Sequence, residues 1–573
     1  MIVQVGVFPD LLQMVEGCPA STVRDLSGPA QWRLGAELSL DCPDVEPARK
    51  DHHGAGRAAA TAGTALLGLV LAVAIARLSR QVPLNSDQAS SVLEGWAMAH
   101  GNVLLGGWTL PSDSFFTDKL PLLALLEWFQ GQTSAVEYEA AGLLGAGVVL
   151  VGIWLAGGRL RGRTRAVAMV VTGALLASQA LLLPGSGASL LSGVLLPAGT
   201  DHAASLLLLL VACLALQGAR RSRAWLVLAW LALAAASIGD PLAAVVGGGA
   251  VAGVGVLDLA VGRHQGTRGD LGLILIGISS AVAAPVTWWA IRSLGGYTAA
   301  PLLGGGYGLP PPVSSLSHNL SMGGQALLTL FGADFLNHPA GLAWLSILLH
   351  LGGLSLVLGV LAFLLRPRRW LALDLVSRIL ALGVLVDAAA YIVGQQATDL
   401  TSARYLLPLL GFGAVLAGRE GVPRLMAVRP RLWLAGLALG AAYAGVFAAG
   451  AVTAQPAPAP LTPVTTWLSE HGATHGLATY WDANVVTVST HGAITVRSVS
   501  TASGALRPFL WHTATSWYDP RSQQATFVLL DGSDTTDRAV VEASLGRPSE
   551  MTTVAGTTIM VWPGNLLADL SPP

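Results

Sequence analysis

Long apolar runs separated by short polar segments constrain the fold of this chain more than any other feature. A helix needs about 20 apolar residues to cross the hydrocarbon core of a bilayer, and such runs recur along most of the sequence. Only 11% of the 573 residues are charged, against roughly 25% in a soluble globular protein. The sequence therefore predicts an α-helical polytopic membrane protein with about eleven spanning helices. We place them near residues 57–78, 138–157, 166–183, 202–218, 224–240, 242–262, 271–291, 341–365, 374–394, 405–418 and 432–450.

Arginine collects in every second loop between the predicted spans. These loops begin near Arg159, Arg220, Arg263, Arg366 and Arg419, whereas the loops between them carry almost none. Short cytoplasmic loops are enriched in Lys and Arg. We therefore predict a multi-pass protein of the cell membrane, with its N-terminus in the cytoplasm and its C-terminus outside.

Three segments lie outside the predicted transmembrane domain, which covers residues 57–450. We expect residues 1–56 to be a disordered cytoplasmic tail, or a stretch that precedes the true start codon. Residues 79–137 form a long outer loop after the first span. Residues 451–573 alternate apolar and polar positions between Gly and Asp, which predicts a small extracytoplasmic α/β domain.

Net charge and cysteine spacing argue against a nucleic acid partner and against stabilisation by disulfides or zinc. The formal net charge is -1, so no basic excess is available to hold nucleic acid by phosphate neutralisation. Cys18, Cys42 and Cys213 are far apart and show no zinc-ligand spacing. We expect no nucleic acid partner, no disulfide framework and no structural zinc.

The first outer loop is richer in functional residue types than a simple connector needs to be. Loops of this length are usually functional or disordered, and this one has apolar and aromatic residues at helical spacing around Val92, Leu93 and Trp96. We predict amphipathic helices at the outer membrane interface. Asp87 follows the first span directly, where a carboxylate can meet both a lipid headgroup and a soluble acceptor, so it is a candidate general base.

The same loop carries the motifs of a known superfamily. It opens with Asp87-Gln88 and closes with Asp118-Lys119 followed by Leu-Pro-Leu. This arrangement resembles the GT-C membrane glycosyltransferases, and within them the protein O-mannosyltransferases and the lipid A aminoarabinose transferases. Those relatives have Asp-Glu at the first motif and Glu-Lys-Pro-Pro-Leu at the second, so this chain departs from them at Gln88 and Leu120.

Two further segments extend the resemblance. An outer Asp at the head of an apolar helix corresponds here to Asp201, followed by His202, in TDHAASLLLLL. Arg404 and Tyr405 enter a late span from the outside in SARYLLPLL. The resemblance covers the chain from about residue 57 to its end.

The resemblance implies inverting transfer of a sugar from a polyprenyl phosphate to an acceptor hydroxyl on the outer face. It makes Asp87 and Asp201 the candidate catalytic residues, and Lys119 and Arg404 the candidate ligands of the donor phosphate. The remaining substrate-site candidates are Gln88, Asp118, His202 and Tyr405. Dependence on a divalent metal ion stays open, since Asp87 and Asp201 offer oxygen ligands to one; no other cofactor is indicated. The sugar stays open, as does the acceptor, which is a cell-envelope glycan, a glycolipid or a protein.

Simpler interpretations stand beside these assignments. Asp201 and His202 are also typical of a helix N-terminus, and Lys119 is typical of an interfacial lysine. Asp374 and Asp387 fall within or near predicted spans, where a charge is a functional candidate by default. The alternative function is a transporter or lipid flippase, although no internal repeat of spans is evident.

Overall fold

The computed structural model describes residues 51–177, 200–219, 222–262, 267–299, 315–336, 343–502, 504–532 and 535–572. The expected N-terminal tail lies outside these residues except at its end. So do residues 300–314. The side chain of Asp201 also lies outside the described part of the chain, although its backbone belongs to a helix.

Helices make up most of the described residues as far as residue 453, as the apolar runs predict. In chain order they are α1 Asp51–Ser79, α2 Ser86–Ala99, α3 Leu120–Gln130, α4 Ala135–Gly157, α5 Gly162–Ala177, α6 Thr200–Gly218, α7 Ala224–Gly239, α8 Pro241–Ala260, α9 Thr267–Ser293, α10 Leu316–Leu330, α11 Ala343–Leu364, α12 Leu375–Val393, α13 Leu400–Val428 and α14 Leu432–Thr453. A single turn, Pro367–Trp370, separates α11 from α12.

Within the described ranges, eight helices are long and apolar enough to cross a membrane. Helices α3, α6 and α7 are apolar but shorter. Each predicted span corresponds to a helix, and α5 ends at the limit of a described range. The predicted fold class, a polytopic helical protein with a small C-terminal α/β domain, is confirmed.

The C-terminal domain is built on a six-stranded sheet. Its strands are β3 His475–Ala478, β4 Thr495–Ser500, β5 Arg507–Pro508, β7 Phe527–Asp531, β8 Glu550–Val554 and β9 Thr557–Val561, in the order β5-β4-β3-β7-β9-β8. The helices of the domain are α15 Thr462–Glu470, α16 Tyr480–Ser489 and α17 Thr535–Leu545. Parallel pairing of β3 with β4 and β7 requires crossovers, and α16 supplies the one between β3 and β4.

A second, three-stranded sheet joins this domain to the first loop. Strand β1, Trp108–Leu110, pairs in parallel with β2, Thr298–Ala299, and antiparallel with β6, Thr513–Ala514. Its strands come from three distant parts of the chain. The first loop and the C-terminal domain are therefore held in one fixed register.

The first loop folds differently from the prediction in one respect. Helix α2 does not lie on the membrane interface with its apolar side: most of its first ten residues are buried, packed between α3 and α16. Gly95 lets α3 approach closely, because a Cβ there would lie 2.5 Å from Glu127 Oε2. The interfacial expectation fits α3 better, since it exposes Leu125, Trp128 and Phe129.

Asp374 and Asp387, the two aspartates predicted within or near spans, have helix-capping roles. Asp374 is the N-cap of α12 and accepts a hydrogen bond from the Ser377 amide at 2.7 Å. Asp387 Oδ2 accepts from the Leu409 amide at 2.8 Å, near the start of the α-helical part of α13. Each carboxylate thus satisfies an orphan N–H of a helix N-terminus.

Candidate active site

Four of the residues singled out from the sequence meet at one cavity. The cavity has a volume of about 110 Å³ and lies between α2, the start of α6, the start of α13 and the C-terminal domain. Its wall consists of Asp87, Ser91, Pro111, Asp113, Phe115, His202, Arg404, Tyr405, Trp511 and His512. The first loop, two helices of the bundle and the C-terminal domain each contribute to it.

Asp87 is fixed at the N-terminal end of α2. Asn85 caps this helix through a capping box with Gln88, so the first turn is firmly formed. The helix dipole favours a carboxylate at this end. The Tyr480 hydroxyl donates a 2.6 Å hydrogen bond to Asp87 Oδ1. Burial, and then the charge of Asp87, raise the pKa of Tyr480 well above its ordinary value, so the phenol stays protonated and keeps donating.

His202 lies on the wall that the helix bundle forms. Its Nδ1 is 2.9 Å from Asp240 Oδ2, and both side chains are buried. Asp240 Oδ1 in turn accepts from the Leu242 amide at the start of α8. The ring of His202 makes edge contacts with Phe115 and Tyr405, at centroid distances of 5.6 and 5.1 Å. The carboxylate and the two rings fix the orientation of the imidazole.

Arg404 and Tyr405 come from the 3₁₀ turn Leu400–Leu406 that opens α13. The guanidinium lies 5.2 Å from the centre of the Tyr405 ring, in a cation–π contact. Asp399 caps this turn through the Thr401 amide at 2.7 Å. The capped turn holds a permanent positive charge on the cavity wall.

His512 reaches the cavity from the C-terminal domain. Its Nδ1 is 2.6 Å from Glu94 Oε1, and both groups are buried. Burial acts to lower the pKa of His512, but Glu94 and the nearby Asp87 and Asp113 outweigh it and raise that pKa above its usual value. The residue adopts φ of 52°, a left-handed conformation that costs about 1–3 kcal/mol for a residue other than glycine. The strand pairing of β6 and the bond to Glu94 stabilise it.

A buried polar stripe on α2 docks the C-terminal domain. Ser86, Ser90 and Glu94 repeat every fourth residue and are fully buried, so they share one face of the helix. The Ser86 hydroxyl donates to the Tyr480 carbonyl, and Asn484 Nδ2 donates to Ser90 Oγ at 2.8 Å. The two domains therefore build the site together.

An apolar cavity adjoins the polar one at Tyr405, which lines both. Its volume is about 420 Å³. The wall is formed by residues of α8, α12 and α13 and the turn after α12, namely Pro241, Leu242, Val245, Asp387, Ala390, Tyr391, Val393, Gly394, Gln396 and Tyr405. Its location among the spanning helices suits a lipid chain.

Lys119 and Asp118 lie away from the polar cavity wall. Lys119 Nζ forms a 2.9 Å ion pair with Glu137 Oε1, and both side chains are fully buried. Asp118 accepts hydrogen bonds from its neighbour's amide and from Ser205 Oγ, at 2.8 and 2.6 Å. The ammonium group of Lys119 faces Glu137 between α3 and α4, and the expected contact of Lys119 with a donor phosphate stays a prediction.

Gln88 also has a structural position. Its side-chain carbonyl accepts from the Asn85 amide at 3.0 Å, and the residue is buried. Gln88 thus takes part in the capping of α2, and its substrate role stays a prediction. Among the described residues, no group of three or more His, Cys, Asp or Glu side chains lies close enough to hold a metal ion.

Comparison with known proteins gives similarity to solved structures alone. No family model and no curated protein matches the chain. Two solved structures of ArnT from Cupriavidus metallidurans are similar to it. The apo structure is 13% identical, with a TM-score of 0.47 over 90% of this chain and 100% of that one. The structure bound to undecaprenyl phosphate is 14% identical, with a TM-score of 0.49 over 87% of this chain and 98% of that one.

Sequence reasoning missed Asp113, Trp511 and His512. A signal for Asp113 exists in the Pro-Ser-Asp-Ser turn of the first loop. For His512 it lies in the stripe on α2, whose buried Glu94 requires a partner. The C-terminal pair Trp-His carries no spacing that sets it apart from other aromatic segments of the domain.

Proposed function

We propose that this protein is a membrane glycosyltransferase that moves a sugar from a polyprenyl phosphate to an acceptor hydroxyl. One observation carries the proposal: a polar cavity holding a carboxylate, an arginine and two carboxylate-backed histidines opens beside an apolar cavity, with Tyr405 on both walls. A lipid-linked sugar phosphate matches this arrangement, since it has an apolar chain, then a charged phosphate, then a polar sugar.

The donor is placed by its chemistry. Its isoprenoid chain lies in the apolar cavity among α8, α12 and α13, where burial of methylene groups is favourable. Its phosphate lies near Tyr405, within reach of Arg404 and His202. Its sugar then points into the polar cavity toward Asp87.

Transfer follows as a displacement at the anomeric carbon. The acceptor oxygen forms a bond to this carbon while the bond to the phosphate oxygen breaks. Asp87 takes the proton of the acceptor hydroxyl, which makes the oxygen a better nucleophile as attack proceeds. Arg404 and His202 stabilise the negative charge that grows on the leaving phosphate. The Tyr480 hydroxyl holds the Asp87 carboxylate in place.

The outer face is the side on which we place this reaction. His202 and Gln217 lie near opposite ends of α6, about 22 Å apart at 1.5 Å per residue. Gln217 accepts a 2.7 Å hydrogen bond from Arg419, which belongs to an ion-pair network with Arg159 and Asp374. These arginines mark the cytoplasmic end under the positive-inside rule, so the polar cavity lies at the outer end.

Binding of undecaprenyl phosphate by the full chain in lipid nanodiscs tests the donor site. We expect Arg404→Gln to weaken binding at least tenfold, because a phosphate ligand is removed. Arg292→Gln is the matched control, since this arginine is exposed near the predicted outer end of α9. Equal affinity of the wild type and both variants contradicts the proposed phosphate site.

Transport of a lipid is the second candidate function. A separate cavity of about 560 Å³ lies at the opposite end of the bundle, beside Arg159, Asp374 and Arg419, and a transporter needs access from both sides. Labelled polyprenyl-phosphate sugars in sealed vesicles distinguish the two functions. A transferase cleaves the sugar from the lipid, whereas a transporter moves the intact donor across the membrane.

A further inference from the structure

Trp511 and His512 are held firmly on the cavity wall. They lie in the short loop between β5 and β6. The Thr513 hydroxyl donates to the Trp511 carbonyl at 2.8 Å, and Thr513 pairs with Thr109 of the first loop. The next contact, from the Thr515 amide to the Gly107 carbonyl at 2.9 Å, fixes the other side of β6.

Trp511 and His512 reach the polar cavity from a different side than the residues of the proposed donor site. Arg404 and Tyr405 belong to the helix bundle, and Tyr405 connects the polar cavity with the apolar one. Trp511 and His512 belong to the C-terminal domain, outside the spanning helices. A donor that enters from the apolar cavity leaves the domain side for the second substrate.

The chemistry of this wall favours a polyhydroxylated ligand. Trp511 is partly exposed and lines the cavity. The face of an indole ring packs well against the C–H groups of a sugar ring. His512 uses Nδ1 for Glu94, so Nε2 is the nitrogen available to a hydroxyl. An aromatic surface beside a few fixed polar groups is the usual composition of a small-molecule site.

The wall also lies close to the proposed base. The ring of His512 is nearly parallel to that of Tyr480, with centroids 6.5 Å apart and an interplanar angle of 19°. Tyr480 in turn donates to Asp87. A sugar bound by this wall therefore has a hydroxyl near the carboxylate that takes its proton.

We propose that Trp511 and His512 form the acceptor subsite of the cavity, and that the acceptor is a carbohydrate. This assignment rests on the proposed transferase function, because only a transferase has an acceptor. Its test is a binding experiment that needs no turnover.

The experiment titrates the full chain in lipid nanodiscs with three kinds of probe, by calorimetry. α-1,6-Mannobiose and cellobiose probe the acceptor side, a threonine-rich peptide probes a protein acceptor, and undecaprenyl phosphate probes the donor side. Trp511→Ala and His512→Gln should each weaken disaccharide binding at least tenfold and leave undecaprenyl phosphate affinity within twofold. Trp511→Phe, which keeps an aromatic face, should restore most of the disaccharide affinity.

Two control variants match the test residues. Trp481→Ala removes a tryptophan of the same domain whose side chain is 63% exposed. His491→Gln changes another histidine of this domain with positive φ, whose Nδ1 contacts the Gln132 carbonyl at 3.1 Å. Both controls should bind all probes as the wild type does.

The outcomes separate this inference from the proposed function. Disaccharide binding that Trp511→Ala leaves unchanged overturns the subsite, as does binding of the peptide in place of both disaccharides. Loss of undecaprenyl phosphate binding in the Trp511 and His512 variants moves these residues to the donor side and also overturns it. A wild type that binds the disaccharides through Trp511 but not undecaprenyl phosphate supports the subsite and refutes the polyprenyl donor.

Discussion

Replacing Lys119 by methionine separates a structural lysine from a phosphate ligand. Lys119 and Glu137 form a fully buried ion pair. Burial, and then the charge of Glu137, raise the pKa of Glu127 to about 9, so this neighbouring carboxyl is neutral at pH 7. Removing one partner of a buried pair costs about 3–5 kcal/mol. We therefore expect the unfolding equilibrium constant of Lys119→Met to rise by about two to four orders of magnitude.

The assay is thermal or denaturant unfolding in detergent, combined with undecaprenyl phosphate binding. The double variant Lys119→Met, Glu137→Leu should regain most of the lost stability, because an apolar pair of similar volume replaces the ion pair. It should also bind undecaprenyl phosphate normally. Arg80→Met is the control, since its 3.7 Å pair with Glu139 is exposed and contributes at most about 1 kcal/mol. A stable double variant that no longer binds the lipid phosphate refutes a purely structural role and supports Lys119 as a phosphate ligand.

Three further predictions test other parts of the site. Tyr480→Phe should lower kcat about tenfold with donor affinity unchanged, because the proposed base loses a charge-assisted hydrogen bond of about 1.5–3 kcal/mol; an unchanged kcat counts against it. Val245→Trp should fill the apolar cavity and weaken undecaprenyl phosphate binding at least tenfold, whereas Val256→Trp, on an exposed part of the same helix, should not; equal binding removes the lipid chain from that cavity. The raised pKa of His512 stabilises the folded state fully below its unfolded value of about 6.5, and this stabilisation is lost as pH rises through the folded pKa. Thermal unfolding between pH 6 and 9 should therefore show a weaker pH dependence for Glu94→Gln than for the wild type, and identical profiles disprove the coupling.

The spans could be predicted because the bilayer imposes one length and one composition on every crossing helix. The first residue of α12 could not be placed from hydropathy, and Asp374 was therefore predicted as a charge within a span. It is an N-cap, and capping depends on backbone geometry that an apolar run does not reveal.

Only part of the site could be predicted from the sequence. Asp87 and Arg404 follow from position, since each stands where a predicted span meets the predicted outer side. The ion pair of Lys119 could not be predicted, because an interfacial lysine and a buried ion-pair lysine have the same sequence signal. Its partner Glu137 lies on the next helix, and nothing local links the two.

The C-terminal contribution could not be predicted because it is entirely non-local. Glu94 and His512 are 418 residues apart in the chain. The stripe of Ser86, Ser90 and Glu94 shows that α2 buries a polar face, but the sequence alone does not say against what. Tertiary packing decides this, and it turns α2 from an interfacial helix into the central element of the cavity.

Label transfer by the Asp87→Asn variant is the most direct test of the proposed transferase and its general base. The full chain in lipid is supplied with radiolabelled polyprenyl-phosphate sugars and a membrane-and-wall extract as acceptor, with Asp569→Asn as an exposed control. We expect transfer by the wild type and the control, and a rate about 10²- to 10⁴-fold lower for Asp87→Asn, the usual contribution of a general base. Transfer by Asp87→Asn at the wild-type rate contradicts the role of Asp87, and intact donor with all three proteins contradicts the transferase itself.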